Sequence, residues 1–196
     1  MNVLQKQALA RALNMEVSQL SKVVQNQDKA RTLGEAIAEQ EGLESMIGQE
    51  SMDNFAKIKQ LGAKMLSDAD SSDEQDFGSF YLSRFLGFKT TYKNDLCIVS
   101  FEAKSPMFNP QGTLHGGVIA TALDVSMGHL LHHKMVAGAT LEMNVKYLLP
   151  IKGGEVRCEG SFIKKGKTIV FLQSHMYRDD EKLAAYASAT WIPINK

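Results

Sequence analysis

The amino-acid sequence predicts an α+β fold in which an antiparallel sheet of about six strands curls around one long buried helix. From Phe77 onward, apolar and polar residues alternate with a period of two, which is typical of strands. One segment, residues 116–131, is instead apolar on every side of a helical wheel, and such a helix is a buried one. A single long helix among many strands favours a sheet wrapped around that helix.

The strands are predicted from alternating runs that end at turn signals. Two runs precede the helix, FLGFKTTY and LCIVSFEA, and the turn KND joins them as a hairpin. Four follow it: ATLEMNVKYL, GEVRCEGSFIKK, TIVFLQSHMYRD and LAAYASATWIPI, the second and third of these joined by the turn KGK.

The N-terminal third has a different pattern and predicts a helical extension over residues 1–66. Apolar residues recur there at helical spacing, in two stripes: Leu9, Leu13, Val17, Leu20 and Val24, then Phe55, Ile58, Leu61 and Met65. Residues 67–76 (SDADSSDEQD) contain five acidic residues and no apolar residue larger than alanine, which predicts an acidic, solvated linker. The predicted third part, residues 77–196, is the sheet-and-helix domain.

Charge and composition exclude several classes of function. The chain has 22 basic and 22 acidic residues, so we expect neither a nucleic-acid nor a membrane partner. Residues 77–196 carry 14 basic and 9 acidic residues, a net of +5 that the balanced total hides. There is no apolar run of membrane-spanning length and no secretory signal pattern, and Cys97 and Cys158 lack a CxxC spacing. We therefore expect a cytoplasmic protein with reduced cysteines.

The apolar helix contains one charged residue, Asp124, and begins with Gly116 and Gly117. A buried carboxylate needs a partner, a wet cavity or a chemical role. The non-functional alternative is a bond to neighbouring backbone or to Ser126. A helix start offers unpaired N–H groups that bind anions and polarised carbonyl oxygens, although two glycines can also form a plain close-packed turn. Together these residues predict an oxyanion donor and a general base or nucleophile.

The stretch NPQGTLHGG, six residues and then Asp124 follow the pattern N-x-x-G-x-x-H-G-G-x6-D. This resembles the hot-dog-fold acyl-CoA thioesterases of the phenylacetate-pathway (PaaI-like) type, over about residues 80–194. The resemblance implies that Asp124 activates water and that the Gly116 N–H polarises the thioester carbonyl. It further implies that Asn109 places the water or thioester, His115 supports the glycine loop, and Thr140 supplies a hydroxyl beside Asp124.

The resemblance also implies the substrate contacts and the cofactor requirement. Gly117 and the hairpin Lys164, Lys165, Gly166 and Lys167 would bind acyl-CoA, although such a basic hairpin is also ordinary solvated surface. Coenzyme A is part of the substrate, so no separate cofactor and no metal is expected.

Helix geometry predicts a homo-oligomer. Gly116 and Asp124 are eight residues apart, which is about 12 Å along one helix and too far for both to touch one carbonyl. A two-fold homodimer would bring the start of each helix beside the middle of its partner. The family resemblance implies the same shared site, often within a tetramer of such dimers.

Three other interpretations remain open at the level of sequence. His129, His132 and His133 have a spacing that can hold a metal. Residues 8–24 have the spacing of a helix-turn-helix, which would make the protein resemble malonyl-CoA-sensing repressors, a non-catalytic acyl-CoA-sensing class. The first 70 residues, however, contain 8 basic and 10 acidic residues, a charge balance that disfavours DNA binding. A hot-dog hydratase or dehydratase would instead need a His facing Asp124 across the cleft.

Overall fold

The computed structural model describes residues 49–194 of the 196-residue chain, and side chains from Asp53. The predicted stripe from Leu9 to Val24, with the helix-turn-helix interpretation, lies outside these residues. The chain divides into the units Met1–Ala56 and Lys57–Lys196, of which the second carries the features below. Within residues 49–194, no helix is both long and apolar enough to cross a membrane.

The predicted α+β fold is confirmed: six antiparallel strands form one sheet in the order β1-β2-β4-β5-β6-β3. The helices are α1 (Gln49–Ala69), α2 (Tyr81–Phe85) and α3 (Gly116–Lys134), with a short 3-10 turn at Ser105–Met107. The strands are β1 (Lys89–Lys93), β2 (Leu96–Ala103), β3 (Gly138–Tyr147), β4 (Gly154–Lys165), β5 (Val170–Arg178) and β6 (Leu183–Pro193).

The long helix α3 is buried against the sheet, as its apolar surface on every side predicts. Leu123, Met127, Leu130 and Leu131 are fully buried on it and form the centre of the core. Strand β4 comes so close to the helix that a Cβ on Gly160 would lie 2.5 Å from the backbone oxygen of Ser126. Glycine is therefore required at that crossing, because any side chain would push helix and sheet apart.

The predicted start of the first strand, Phe85, is wrong. Residues 81–85 form the short helix α2, and β1 begins only at Lys89. The hydroxyl of Ser83 accepts the backbone N–H of Phe80 at 3.0 Å and donates to its carbonyl at 2.7 Å. Such a local side-chain bond offers the backbone a helical turn in place of a sheet ladder.

The acidic segment 67–76 begins inside α1, which continues to Ala69. Its five acidic side chains are exposed, as expected, but its backbone is tied to α2 by one side chain. The guanidinium of Arg84 donates to the carbonyls of Ala69, Ser72, Glu74 and Ser79. The domain boundaries at 66 and 76 stay a prediction.

Strand β3 lies at an edge of the sheet and pairs only with β6 among residues 49–194. Its apolar side chains are unusually exposed, with Leu141 at 57% and Tyr147 at 55%. A long edge strand with exposed apolar residues is a template for pairing with another chain.

Candidate functional site

Asp124 is half-buried in the middle of α3 and bonded to the first residues of β3. Its carboxylate accepts a hydrogen bond from the Thr140 hydroxyl at 2.9 Å. Burial raises the pKa of Asp124 above its usual value, and the Thr140 hydrogen bond partly opposes that rise. The alternative partner, Ser126, is not used: its hydroxyl bonds Leu123 and the buried Ser174 instead.

Asp124 and Thr140 line a cavity of about 370 Å³, which we call the Asp124 cavity. Its other walls come from the next turn of the helix, from the strands β3 and β6, and from the segment 75–80. They are lined by Gln75, Asp76, Phe77, Phe80, Val125, Gly128, His129, Gly138 and Trp191. Most of this lining is apolar, so the carboxylate borders a space suited to a hydrophobic group.

The glycine turn forms the N-terminus of α3, where His115 is the N-cap. The imidazole Nδ1 of His115 accepts the backbone N–H of Gly117 at 2.9 Å. The N–H of Gly116, one residue earlier, has no acceptor among residues 49–194. The free donor at this helix start is therefore Gly116, and His115 fixes the turn that presents it.

Tyr147 is a second residue at this turn, and the sequence analysis did not single it out. Its hydroxyl donates to the Gly116 carbonyl at 3.2 Å, and a Cβ on Gly116 would lie 3.5 Å from its ring. A tyrosine at the end of a predicted strand carries no distinguishing signal, because strands are rich in tyrosine.

Asn109 organises the loop before the glycine turn. Its side-chain oxygen accepts the backbone N–H groups of Gln111 and Thr113, and its amide nitrogen donates to the Thr113 hydroxyl at 3.0 Å. Asn109 and Gly116 line a second cavity of about 370 Å³, the Gly116 cavity. Its remaining walls are Thr113, Leu114, Ile119, Tyr147, Leu148, Leu149, Pro150 and Ile151.

The predicted catalytic residues therefore fall into two groups within one chain. Asp124 and Thr140 line one cavity, whereas Asn109 and Gly116 line the other. Both groups belong to the same continuous helix or its flanks, where eight residues correspond to about 12 Å. A single chain does not bring the two halves of the predicted site together.

The basic hairpin comprises the last two residues of β4 and the turn after it, and neither cavity includes Lys164, Lys165, Gly166 or Lys167 in its lining. The Lys165 ammonium lies 4.4 Å from the centre of the Phe162 ring, a cation–π distance. A Cβ on Gly166 would lie 2.2 Å from the backbone oxygen of Ile169, so this turn requires glycine. Its role in binding coenzyme A stays a prediction.

Each of the three histidines of α3 makes hydrogen bonds or ring contacts with other residues of the domain. His129 is buried, and its Nε2 accepts the Gly78 N–H at 2.6 Å while its ring also bonds the Val125 backbone. Burial lowers the pKa of His129 to about 4, so the ring is neutral at pH 7. His132 and His133 stack on aromatic rings, those of Phe77 and Tyr92.

These contacts bear on two of the alternatives. Among the described residues, no three His, Cys, Asp or Glu side chains are grouped as metal ligands. His129 lines the Asp124 cavity, but both of its bonding directions are already used, which leaves it unsuited to the acid–base role a hydratase requires.

Comparison with known proteins shows which families and structures the chain is similar to. Residues 111–185 match the family model of the thioesterase superfamily. The YigI protein of Escherichia coli, a medium/long-chain acyl-CoA thioesterase, is 26% identical over 129 residues, which cover 56% of this chain and 83% of YigI. The matched part of the chain spans between 47% and 83% of the length of YigI and other curated relatives.

Two solved structures share the fold. The BH2602 protein of Bacillus halodurans, crystallised with CoA, superposes with a TM-score of 0.62 at 20% identity, covering 79% of this chain and 99% of that one. PaaI of Escherichia coli gives a TM-score of 0.57 at 17% identity, covering 69% and 96%. The described domain has the sheet-and-helix architecture of these two structures, the hot-dog fold, and residues 111–185 within it match the thioesterase superfamily.

Proposed function

We propose that the protein hydrolyses acyl-CoA thioesters, with Asp124 as the general base and the Gly116 N–H as the oxyanion donor. Residues 111–185 match the thioesterase superfamily, whose name gives thioester hydrolysis as the reaction class. One observation supports the finer assignment above all. The half-buried carboxylate and the unpaired helix-start N–H lie at complementary positions of one helix, each beside its own cavity.

The reaction follows from these two groups. The Asp124 carboxylate takes a proton from water, and the water oxygen bonds to the thioester carbonyl carbon. Negative charge moves to the carbonyl oxygen, which the Gly116 N–H stabilises by roughly 3 kcal/mol. When that charge returns, the carbon–sulfur bond breaks, sulfur leaves with the electron pair, and the proton held by Asp124 neutralises it.

A two-fold homodimer supplies the missing proximity. We infer that β3 pairs with β3 of a second copy, since its outer edge has no partner strand among residues 49–194 and its apolar side chains are exposed. Antiparallel pairing of two such strands sets the two α3 helices antiparallel. Each site then takes Asn109 and Gly116 from one subunit and Asp124 with Thr140 from the other.

Coenzyme A is the proposed carrier of the acyl group. Relatives named as acyl-CoA thioesterases and a neighbouring fold solved with CoA support this choice. The net +5 of residues 77–196 suits a substrate rich in phosphate, and the hairpin at residues 164–167 concentrates three of those positive charges.

The test measures hydrolysis of a panel of straight-chain and aromatic acyl-CoAs, with the release of the free thiol as the readout. We expect turnover of acyl-CoA and a much lower kcat/KM for the same acyl group on a short thiol that lacks the nucleotide. Binding of acyl-CoA without turnover of any panel member would contradict the proposal and favour the acyl-CoA-sensing regulator.

A further inference from the structure

Phe77 lines the Asp124 cavity and contacts α3 at residues that follow the carboxylate along the helix. Its ring stacks on His132 with centroids 3.7 Å apart and planes 4° from parallel, and it meets the edge of His129 at 5.3 Å. His129 and His132 lie five and eight residues beyond Asp124 on α3. Along the helix axis Phe77 is therefore about 7 to 12 Å from the carboxylate.

Hydrogen bonds hold the segment on both sides of Phe77. The Gly78 N–H donates to His129 at 2.6 Å, and Asp76 and Ser79 exchange two backbone hydrogen bonds at 3.3 and 3.0 Å. Gly78 has φ +94, a conformation that favours glycine in this turn. Arg84 holds the carbonyls on either side, at Glu74 and Ser79.

These attachments position Phe77 without burying it. Its side chain is 47% exposed, far above the core residues of the domain. A half-exposed aromatic ring contributes little to the core, yet here it forms part of a cavity wall. Its contacts with the rings of His129 and His132 and the turn around Gly78 keep it in place.

We propose that Phe77 sets the maximum length of the acyl chain that the enzyme accepts. This inference rests on the proposed function: with the thioester at Asp124, the acyl chain runs along α3 past Gly128 towards Phe77. The wall beside Gly128 is also tight, because a Cβ there would lie 2.7 Å from the Trp191 ring. The acyl chain therefore has no alternative space between Gly128 and the Trp191 ring.

The geometry gives the substrate class. Consecutive Cα atoms are 3.8 Å apart across three bonds, so an extended chain advances about 1.3 Å per bond. The axial distance from Asp124 to the near side of Phe77, about 7 Å, then corresponds to roughly six bonds. The preferred substrates are uncharged straight acyl chains of medium length, because the lining is apolar and its two carboxylates, Asp76 and Asp124, disfavour an anionic acyl group.

The test compares chain-length profiles of kcat/KM for the full chain and its variants. Each buried methylene adds about fourfold until the cavity is full, after which the profile falls. In Phe77→Ala the peak should move to acyl chains longer by about two to four carbon atoms, the length of the removed ring at about 1.3 Å per bond. In Phe77→Trp the peak should move towards shorter chains.

The chain offers a matched control in Tyr92, which stacks on His133 at 4.0 Å at the same end of α3. Tyr92 does not line the cavity, so Tyr92→Ala should leave the profile unchanged. As a positioning residue, His132 should behave like a weaker Phe77: His132→Ala broadens the profile towards long chains and His132→Phe restores it.

The outcomes separate this inference from the proposed function. Acyl-CoA hydrolysis with an identical profile in wild type, Phe77→Ala and Phe77→Trp would overturn the role of Phe77 and leave the hydrolase assignment intact. Failure of the wild type to hydrolyse any acyl-CoA would overturn both.

Discussion

Replacing Asp124 with Asn should lower turnover of acyl-CoA at least about a hundredfold, because the substitution removes the general base. The fold should persist, since the Thr140 hydroxyl can donate to the amide oxygen as it does to the carboxylate at 2.9 Å. The measurement is steady-state kcat with far-UV circular dichroism. Near-wild-type turnover in a folded variant would leave Asp124 a structural residue.

A matched carboxylate is available in the turn between β1 and β2, beside the C-terminal residue of α3. Asp95 is 78% exposed and pairs with Lys134 at 3.2 Å. Asp95→Asn removes the same charge without touching either cavity, so its turnover should equal that of the wild type. An equal loss in both variants would point to a general charge effect rather than to catalysis.

The raised pKa of Asp124 fixes the sign of two pH effects. Turnover should fall as the pH drops through that raised pKa, because only the carboxylate accepts a proton from water. For stability, a raised pKa in the folded state means that the stabilising contribution of Asp124 is lost as the pH rises through it. The Asn variant should therefore match the wild type at low pH and be at least as stable at neutral pH.

Replacing Gly116 with Pro should lower turnover by about a hundredfold to a thousandfold, because proline removes the one N–H assigned to the oxyanion. Position 116 is the first residue of α3, where proline is well tolerated. The preceding residue, His115, has φ −62 and ψ 136, which is the conformation required before proline.

Gly116→Ala is the control for the proline variant, because it keeps the N–H and adds only a Cβ. That Cβ would lie 3.5 Å from Tyr147, an ordinary contact distance. The alanine variant should therefore retain most of the activity. Equal loss in both variants would indicate that space at position 116, and not the N–H, governs the reaction.

Several features of the site could be predicted from local sequence alone. A helix apolar on all sides is buried whichever way it is turned, so the place of α3 in the core followed directly from residues 116–131. The single charge within it, Asp124, therefore had to lie beside a partner or a cavity, and both are present. Thr140 was assigned through the family resemblance, and it does lie beside Asp124.

Other features depend on contacts between distant residues, which no local pattern encodes. Gly78 and His129 are 51 positions apart, and residues 75–80 (QDFGSF) combine one acidic residue with turn residues and two phenylalanines. The predicted solvated linker ends at Asp76, and no local pattern shows that its last residues and Phe77 form a cavity wall. The helix α2 was missed for a related reason, since the Ser83 hydroxyl bond that favours it competes with an apolar pattern compatible with a strand.

Mixed dimers test directly whether each active site is built from two subunits. Gly116→Pro and Asp124→Asn chains, each nearly inactive alone, are unfolded, mixed in equal amounts and refolded. About half of the dimers should be heterodimers, and each should contain one intact site, made of Gly116 from one chain and Asp124 from the other. We expect the refolded mixture to recover roughly a quarter of the wild-type activity. Heterodimers that demonstrably form and remain as inactive as their parents would contradict the shared site.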